Sequence, residues 1–201
     1  MDVFAKAGVV VGVLTAGVGS FDDVPSLLED PRRNVELKAR DVDPARSLEV
    51  CEALRAEDHG EISQRDTYFN VARGGLKQRE ERLGRAHLIQ FDRANEPQQR
   101  ESRYRIVVPD DGPALRAALE AAIGVSVVVV KRRRLYLWRG VRIHLDDVEQ
   151  LGTFIELEAV APPESDLTHE HELIRELRDA FEITDARLVE LGYADQLLGP
   201  I

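Results

Sequence analysis

Charged residues recur at every second position in five short stretches of this chain. Glu36, Lys38 and Arg40 alternate with Val35, Leu37 and Ala39, and Arg142, His144 and Asp146 alternate with Val141, Ile143 and Leu145. Glu156 and Glu158 oppose Ile155, Leu157 and Ala159, while Arg103 and Arg105 oppose Tyr104, Ile106 and Val108. Lys77, Arg79 and Glu81 make a further row between Leu76 and Leu83. Alternate side chains of a strand share a face, so each stretch has one apolar and one charged face. In the run Lys131 to Arg134 the same rule lets only Lys131 and Arg133 turn together toward a ligand. Rows of Lys and Arg can hold an anion. Acids interleaved with them make the shared face a candidate site.

One such strand alone reads as a half-buried sheet whose polar face meets water. Repetition changes that reading, because consecutive antiparallel strands of this kind can close into a barrel with its apolar outside covered and its inside filled with charge. The expected architecture is therefore α+β: a closed antiparallel β-barrel, or tunnel, of about eight strands with helices packed outside. Helices are expected at four places. Asp43-Pro44 reads as N-cap and first helical position before Leu48, Cys51 and Leu54. A second helix follows Pro113 and stops at Gly124, and a third runs from about Thr168 to Phe181 with Leu173, Ile174 and Leu177 as its stripe. A short fourth is expected after Asp185.

The 201 residues suit one domain of ordinary size. The punctuated junction Asp30-Pro31-Arg32-Arg33 divides a flexible N-terminal extension, residues 1–32, from a patterned domain over 33–201. The apolar run Ala7–Ala16 is much shorter than the roughly 20 residues of a membrane span. Gly8 and Gly12 break it, and neither a P-loop nor a secretory signal is expected there. A net charge of −10 argues against general binding to nucleic acid or to anionic membranes, so an anionic ligand needs a local basic site. Cys51 stands alone, which excludes an internal disulfide and a Cys-based zinc site and fits a reducing cytoplasm.

Other polar residues weigh less. His169 and His171 flank Glu170, but positions two apart on a helix do not face one another, so a solvated helix start is the reading there. His144 is in register with Arg142 and Asp146, where a lumen role and a satisfied polar position both remain open. Tyr136 and Trp138 read most simply as packing residues, with base stacking left open.

Asn34-Val35-Glu36-Leu37-Lys38 resembles the ExExK signature that opens CYTH proteins, the group of class IV adenylate cyclases, thiamine triphosphatases and inorganic triphosphatases. Further similar segments follow in the family's order: Asp66-Thr67-Tyr68-Phe69, Leu76-Lys77-Gln78-Arg79, Ser102-Arg103-Tyr104-Arg105, Lys131-Arg132-Arg133, Leu145-Asp146 and Gly152–Glu158. The closing Gly192–Leu198 is similar as well, so the resemblance spans roughly Arg33 to Leu198. Asn34 departs from the signature, standing where its first Glu should be. Asn coordinates through a carbonyl oxygen but brings no charge and cannot act as a base.

The resemblance implies a tunnel enzyme acting on a triphosphate such as ATP, tripolyphosphate or thiamine triphosphate, with Mg2+ or Mn2+. A triphosphate carries about four negative charges, which planar Arg grips bidentately and Lys meets as a point charge. The implied substrate-binding residues are Lys38, Arg40, Lys77, Arg79, Arg103, Arg105, Lys131 and Arg133. Glu36, Glu156 and Glu158 are the implied metal ligands, and these with Asp146 the implied catalytic acids, because hard cations prefer oxygen donors. Attack by water would make the protein a triphosphatase, and attack by a ribose 3'-hydroxyl an adenylate cyclase releasing pyrophosphate. Asn34 keeps a third reading open, a non-catalytic binder of nucleotide or polyphosphate. A homodimer is also left open.

Overall fold

The computed structural model describes residues 32–81, 86–93 and 100–199. The N-terminal run Ala7–Ala16, and all but the last residue of the expected extension, lie outside the described residues. Arg32, expected to end that extension, is already in the first strand.

Eight strands follow in chain order: β1 (Arg32–Arg40), β2 (Glu57–Phe69), β3 (Gly75–Glu81), β4 (Ala86–Arg93), β5 (Arg100–Val107), β6 (Val125–Trp138), β7 (Val141–Val148) and β8 (Gly152–Ala161). They form one closed antiparallel barrel in the order β1-β5-β4-β3-β2-β6-β7-β8, with β8 paired back to β1. Closure leaves no unpaired edge and creates two environments, an outer surface and a lumen. Alternation then fixes what enters each.

Val35, Leu37, Ala39, Val141, Ile143, Ile155 and Leu157 face outward into the main apolar core. Two helices close that core from outside: α1 (Pro44–Ala53), through Val50 and Cys51, and α3 (Thr168–Ala180), through Leu173, Ile174 and Leu177. Tyr136 and Trp138 belong to the same core, so their packing reading holds. The apolar mass of the protein thus lies between barrel and helices. The lumen takes the charged rows, together with a second, smaller apolar cluster of Val129, Val148, Phe154, Tyr193 and Ala194.

Local chemistry explains the boundaries. Asp43 caps α1 by accepting from the Arg46 amide, and Pro44 occupies the first turn, where its missing N–H costs nothing. Asp111 caps α2 (Gly112–Ile123) in the same way, and Gly124 ends it at φ +75°. Arg139 and Gly140, both at positive φ, make the two-residue turn that joins β6 to β7. The expected fourth helix is displaced. Asp185–Arg187 is only one 3-10 turn, and α4 covers Tyr193–Leu198, where the Asp195 carboxylate accepts from the Gly192 amide.

No helix among the described residues is long and apolar enough to cross a membrane.

Candidate active site

The cross-strand register brings the charged rows together in the lumen. Across β1 and β8, Lys38 faces Glu156 and Glu36 faces Glu158. Across β7 and β8, His144 faces Glu156 and Arg142 faces Glu158, while Arg133 of β6 faces Asp146 of β7. On the other wall, Asp66 of β2 faces Arg79 of β3, and Tyr68 faces Lys77.

Three ion-paired groups result. Asp146 accepts both Nε and Nη2 of Arg133 at 2.6 Å and the Lys131 ammonium at 3.2 Å. Arg133 also reaches Glu156, which pairs with Lys38 at 3.1 Å. Asp66 takes the Arg79 fork at 2.8 and 2.7 Å and the Lys77 ammonium at 2.8 Å. Glu158 pairs with Arg142 at 3.2 Å and accepts from the Asn34 amide. Bidentate guanidinium contacts fix orientation as well as charge, so these cations are held in place before any ligand arrives.

Burial makes the charges interdependent. It opposes ionisation of Asp146, but Arg133 and Lys131 outweigh it and hold that carboxyl below the usual range. Asp66 is held well below by Arg79 and Lys77, and Glu156 by Lys38 and Arg133, again against burial. Lys131 goes the other way. Burial, aided by the neighbouring Arg133 charge, pulls its ammonium down to about 7 despite Asp146. His144 is pulled down to about 4 by burial and Arg133, so it is neutral near pH 7. Its Nδ1 lies 3.6 Å from Glu156, beyond hydrogen-bond reach.

Helix α4 covers one end of this lumen. Tyr193 donates to Asp146 at 2.9 Å, its ring packs on Phe154, and Lys38 stands 3.9 Å from its centroid. Arg40 sits at that end, 4.3 Å over the Phe154 ring and 3.0 Å from Gln196.

Of the residues singled out in the sequence, Glu36, Lys38, Lys77, Arg79, Lys131, Arg133, Asp146, Glu156 and Glu158 line the lumen, with Arg40 at its end. Arg103 and Arg105 do not. Both are exposed on the outer face, where Arg103 pairs with Glu101 and Arg105 donates to Gln90. The physical reason is register: Ser102 and Tyr104 are the buried, inward members of β5. Alternation correctly separated the two sets in β5 but could not say which was inside. Asp66, Arg142 and Tyr193 are among the lumen residues that had no role assigned from sequence. Asp66 carried a usable signal, since it alternates with Gln64 and Tyr68. Tyr193 carried only its place in the family-like closing segment Gly192–Leu198, because its partner Asp146 is 47 positions away. His169 is exposed, as the solvated helix start expected there requires, but Glu170 is buried and accepts from the Ser165 hydroxyl.

The oxygen donors can be tested against a divalent ion. Asn34 is 1% exposed, and its Oδ1 has no hydrogen-bond partner although its Nδ2 donates to Glu158. Glu36 stands opposite that same Glu158. Among the described residues, no three His, Cys, Asp or Glu side chains form a metal cage by themselves. That donor set fits Mg2+ or Mn2+, which bind through one or two carboxylates together with substrate phosphates rather than in an all-protein cage. Glu156 is further from that patch in role, engaged by Lys38 and Arg133.

The CYTH domain, as a family, matches residues 32–192. The chain belongs to the CYTH family. Solved structures share its fold: the PH1012 protein of Pyrococcus horikoshii OT3 has a TM-score of 0.71 at 21% identity, covering 80% of this chain and 97% of that one. A candidate adenylate cyclase from Vibrio parahaemolyticus has a TM-score of 0.69 at 20% identity, covering 84% and 99%. HpAC1 of Hippeastrum, an adenylyl cyclase candidate described as having a dominant triphosphatase activity, has a TM-score of 0.52 at 15% identity, covering 75% and 88%. At these identities the likeness is one of fold. No curated protein matches the chain significantly. The CYTH barrel accounts for the charged lumen as a feature of architecture: closure places every inward row around one axis.

Proposed function

We propose that this CYTH protein is a metal-dependent enzyme acting on the triphosphate group of a nucleotide or other triphosphate, by hydrolysis or by cyclisation. The observation that carries the reading is convergence: Lys38, Lys77, Arg79, Lys131 and Arg133 enter one closed lumen in a chain whose net charge is −10. An anion of about four charges would find there both planar and point-like cations.

The lumen carboxylates bear on metal dependence. Glu36, Glu156 and Glu158 would repel a triphosphate that arrived alone. A divalent ion held by Glu36 and Glu158, with Asn34 Oδ1, would supply charge neutralisation and Lewis acidity there. Arg133 and Lys38 orient the chain of phosphates against Asp146 and Glu156, and Lys77 with Arg79 grips its other part. Tyr193 and α4 exclude water from the Asp146 end. Lys131, with a proton affinity near neutrality, can hold or release a proton beside the phosphate oxygens.

Asn34 favours a second reading, a non-catalytic binder of nucleotide or polyphosphate. It removes one negative charge from the oxygen patch. Purified protein with Mg2+ or Mn2+, offered ATP, tripolyphosphate and thiamine triphosphate, separates the readings by product. Cyclic AMP with pyrophosphate marks a cyclase and phosphate release a triphosphatase. Tight binding with neither product under both metals would overturn the enzyme and leave the binder.

A further inference from the structure

Arg142 is held more loosely than the lumen arginines Arg79 and Arg133. Those two each grip a carboxylate with two nitrogens, and their side chains are 16% and 7% exposed. Arg142 touches Glu158 through Nη1 alone, at 3.2 Å, with 32% of its side chain exposed. That distance is longer than the roughly 2.7–2.9 Å of a firm charge-assisted bond. The other Glu158 oxygen accepts from Asn34 Nδ2. Both oxygens of this carboxylate are therefore taken, one by a neutral amide and one by a cation. The buried Tyr104 hydroxyl on β5 lies in the same field: burial and Glu158 raise its pKa, while Arg142 opposes them.

A divalent ion held by Glu36, Glu158 and Asn34 Oδ1 needs one of those Glu158 oxygens. It displaces Arg142 rather than Asn34 for an electrostatic reason. Two cations on one carboxylate repel each other across a few ångström, whereas the amide is uncharged and its partnerless Oδ1 is itself a donor atom for the ion. The displaced guanidinium has little distance to travel. An ion that bridges Glu158 to phosphate oxygens brings a phosphate beside that carboxylate, within the sweep of the same side chain. Arginine grips phosphate with a planar fork.

We infer that Arg142 is a two-position residue, which holds Glu158 when no metal is bound and turns to the phosphates once metal takes that carboxylate. It is a further substrate-binding residue, and its engagement depends on the metal. Metal and triphosphate thus assist one another through it. Without the triphosphate its effect is opposite, since its charge weakens the pull of the oxygen patch on an ion. This rests on the metal-dependent triphosphate reading and adds to it the residue that couples the two ligands.

Two titrations, each on the unaltered protein and on Arg142→Met, test the assignment. In the first, Mn2+ is added alone and the free ion is read by electron paramagnetic resonance. The variant should bind Mn2+ about 10-fold more tightly, the scale of one like charge removed from a few ångström away. In the second, an imido-bridged analogue of tripolyphosphate, which resists hydrolysis, is titrated by calorimetry in saturating Mn2+. The variant should bind it about 10-fold less tightly, the scale of one lost hydrogen bond to a charged group. Arg142→Lys, which keeps the charge but not the fork, should leave Mn2+ affinity near that of the unaltered protein and recover only part of the analogue affinity. A partly unfolded variant does not imitate opposite shifts, because it loses affinity for both ligands. Mn2+ affinity unchanged or lowered in Arg142→Met, or analogue affinity unchanged, would overturn the inference while leaving the triphosphate reading intact. Failure of the unaltered protein to bind the analogue in Mn2+ would overturn both.

Discussion

Asp66 holds the guanidinium of Arg79 by both oxygens, at 2.8 and 2.7 Å, while taking the Lys77 ammonium on one of them. A single carboxylate, 2% exposed, thus pairs with two cations on the β3 wall and leaves them one net positive charge. Removing it would strand both.

Asp66→Ala is accordingly expected to destabilise the protein by about 3–5 kcal/mol, the usual cost of leaving buried charges unpaired. Tripolyphosphate should restore part of this, since it supplies the missing negative charge. Thermal melts with and without the ligand check it. The ligand-induced rise in Tm should be larger for the variant than for the parent.

Lys131 predicts proton uptake on binding. Its folded ammonium titrates near 7, and an unfolded lysine near 10.5. Between those values the unfolded chain binds more protons, so this residue's contribution to stability rises with pH across that window and is smallest below about 7. A bound polyanion favours the charged amine. Above pH 7, triphosphate affinity should therefore fall with rising pH, and calorimetry in two buffers of different ionisation heat should register proton uptake at pH 8.5. Lys131→Met should abolish that uptake; an unchanged value in the variant would assign the proton elsewhere.

Asn34→Asp places a third carboxylate beside Glu158 and Glu36. Like charges in that patch should lower the metal-free Tm, and Mn2+ should bind about 10-fold or more tightly than to the parent, because ligand charge raises affinity for hard cations. A thermal melt without metal reads the first effect and direct Mn2+ titration the second. Glu158→Gln should move Mn2+ affinity in the opposite direction, and equal affinities across the three proteins would remove the metal from this patch.

The outward Arg103 and Arg105 supply a contrast. Arg103→Ala and Arg105→Ala should stay within about 0.5 kcal/mol of the parent in stability, as exposed substitutions do. They should leave tripolyphosphate affinity at the parental value. Arg79→Ala should weaken it by an order of magnitude or more, reflecting a lost bidentate contact. A comparable loss at Arg103 would place β5 in the other register.

The order of strands and helices was legible because short-range rules govern it. Alternation separates Val35, Leu37 and Ala39 from Glu36 and Lys38 without any partner strand. Asp43-Pro44 and Gly124 mark helix ends through their own backbones. The same rules failed after Asp185, where helical residues follow in the sequence but the chain makes only one tight turn before α4. The β5 arginines failed differently: both faces of that strand are polar or mixed, so only pairing with β1 and β4 fixes which looks inward.

By itself, then, the amino-acid sequence determined which residues alternate, where helices start and stop, and that a negatively charged chain carries concentrated basic rows. Those depend on contacts within a few residues. Only the tertiary structure decided that Asp66 holds Lys77 and Arg79, that Tyr193 donates to Asp146, and that Arg142 and Asn34 share Glu158. Each of these joins residues on different strands or helices. Their distances are set by barrel closure and register, which no local pattern encodes.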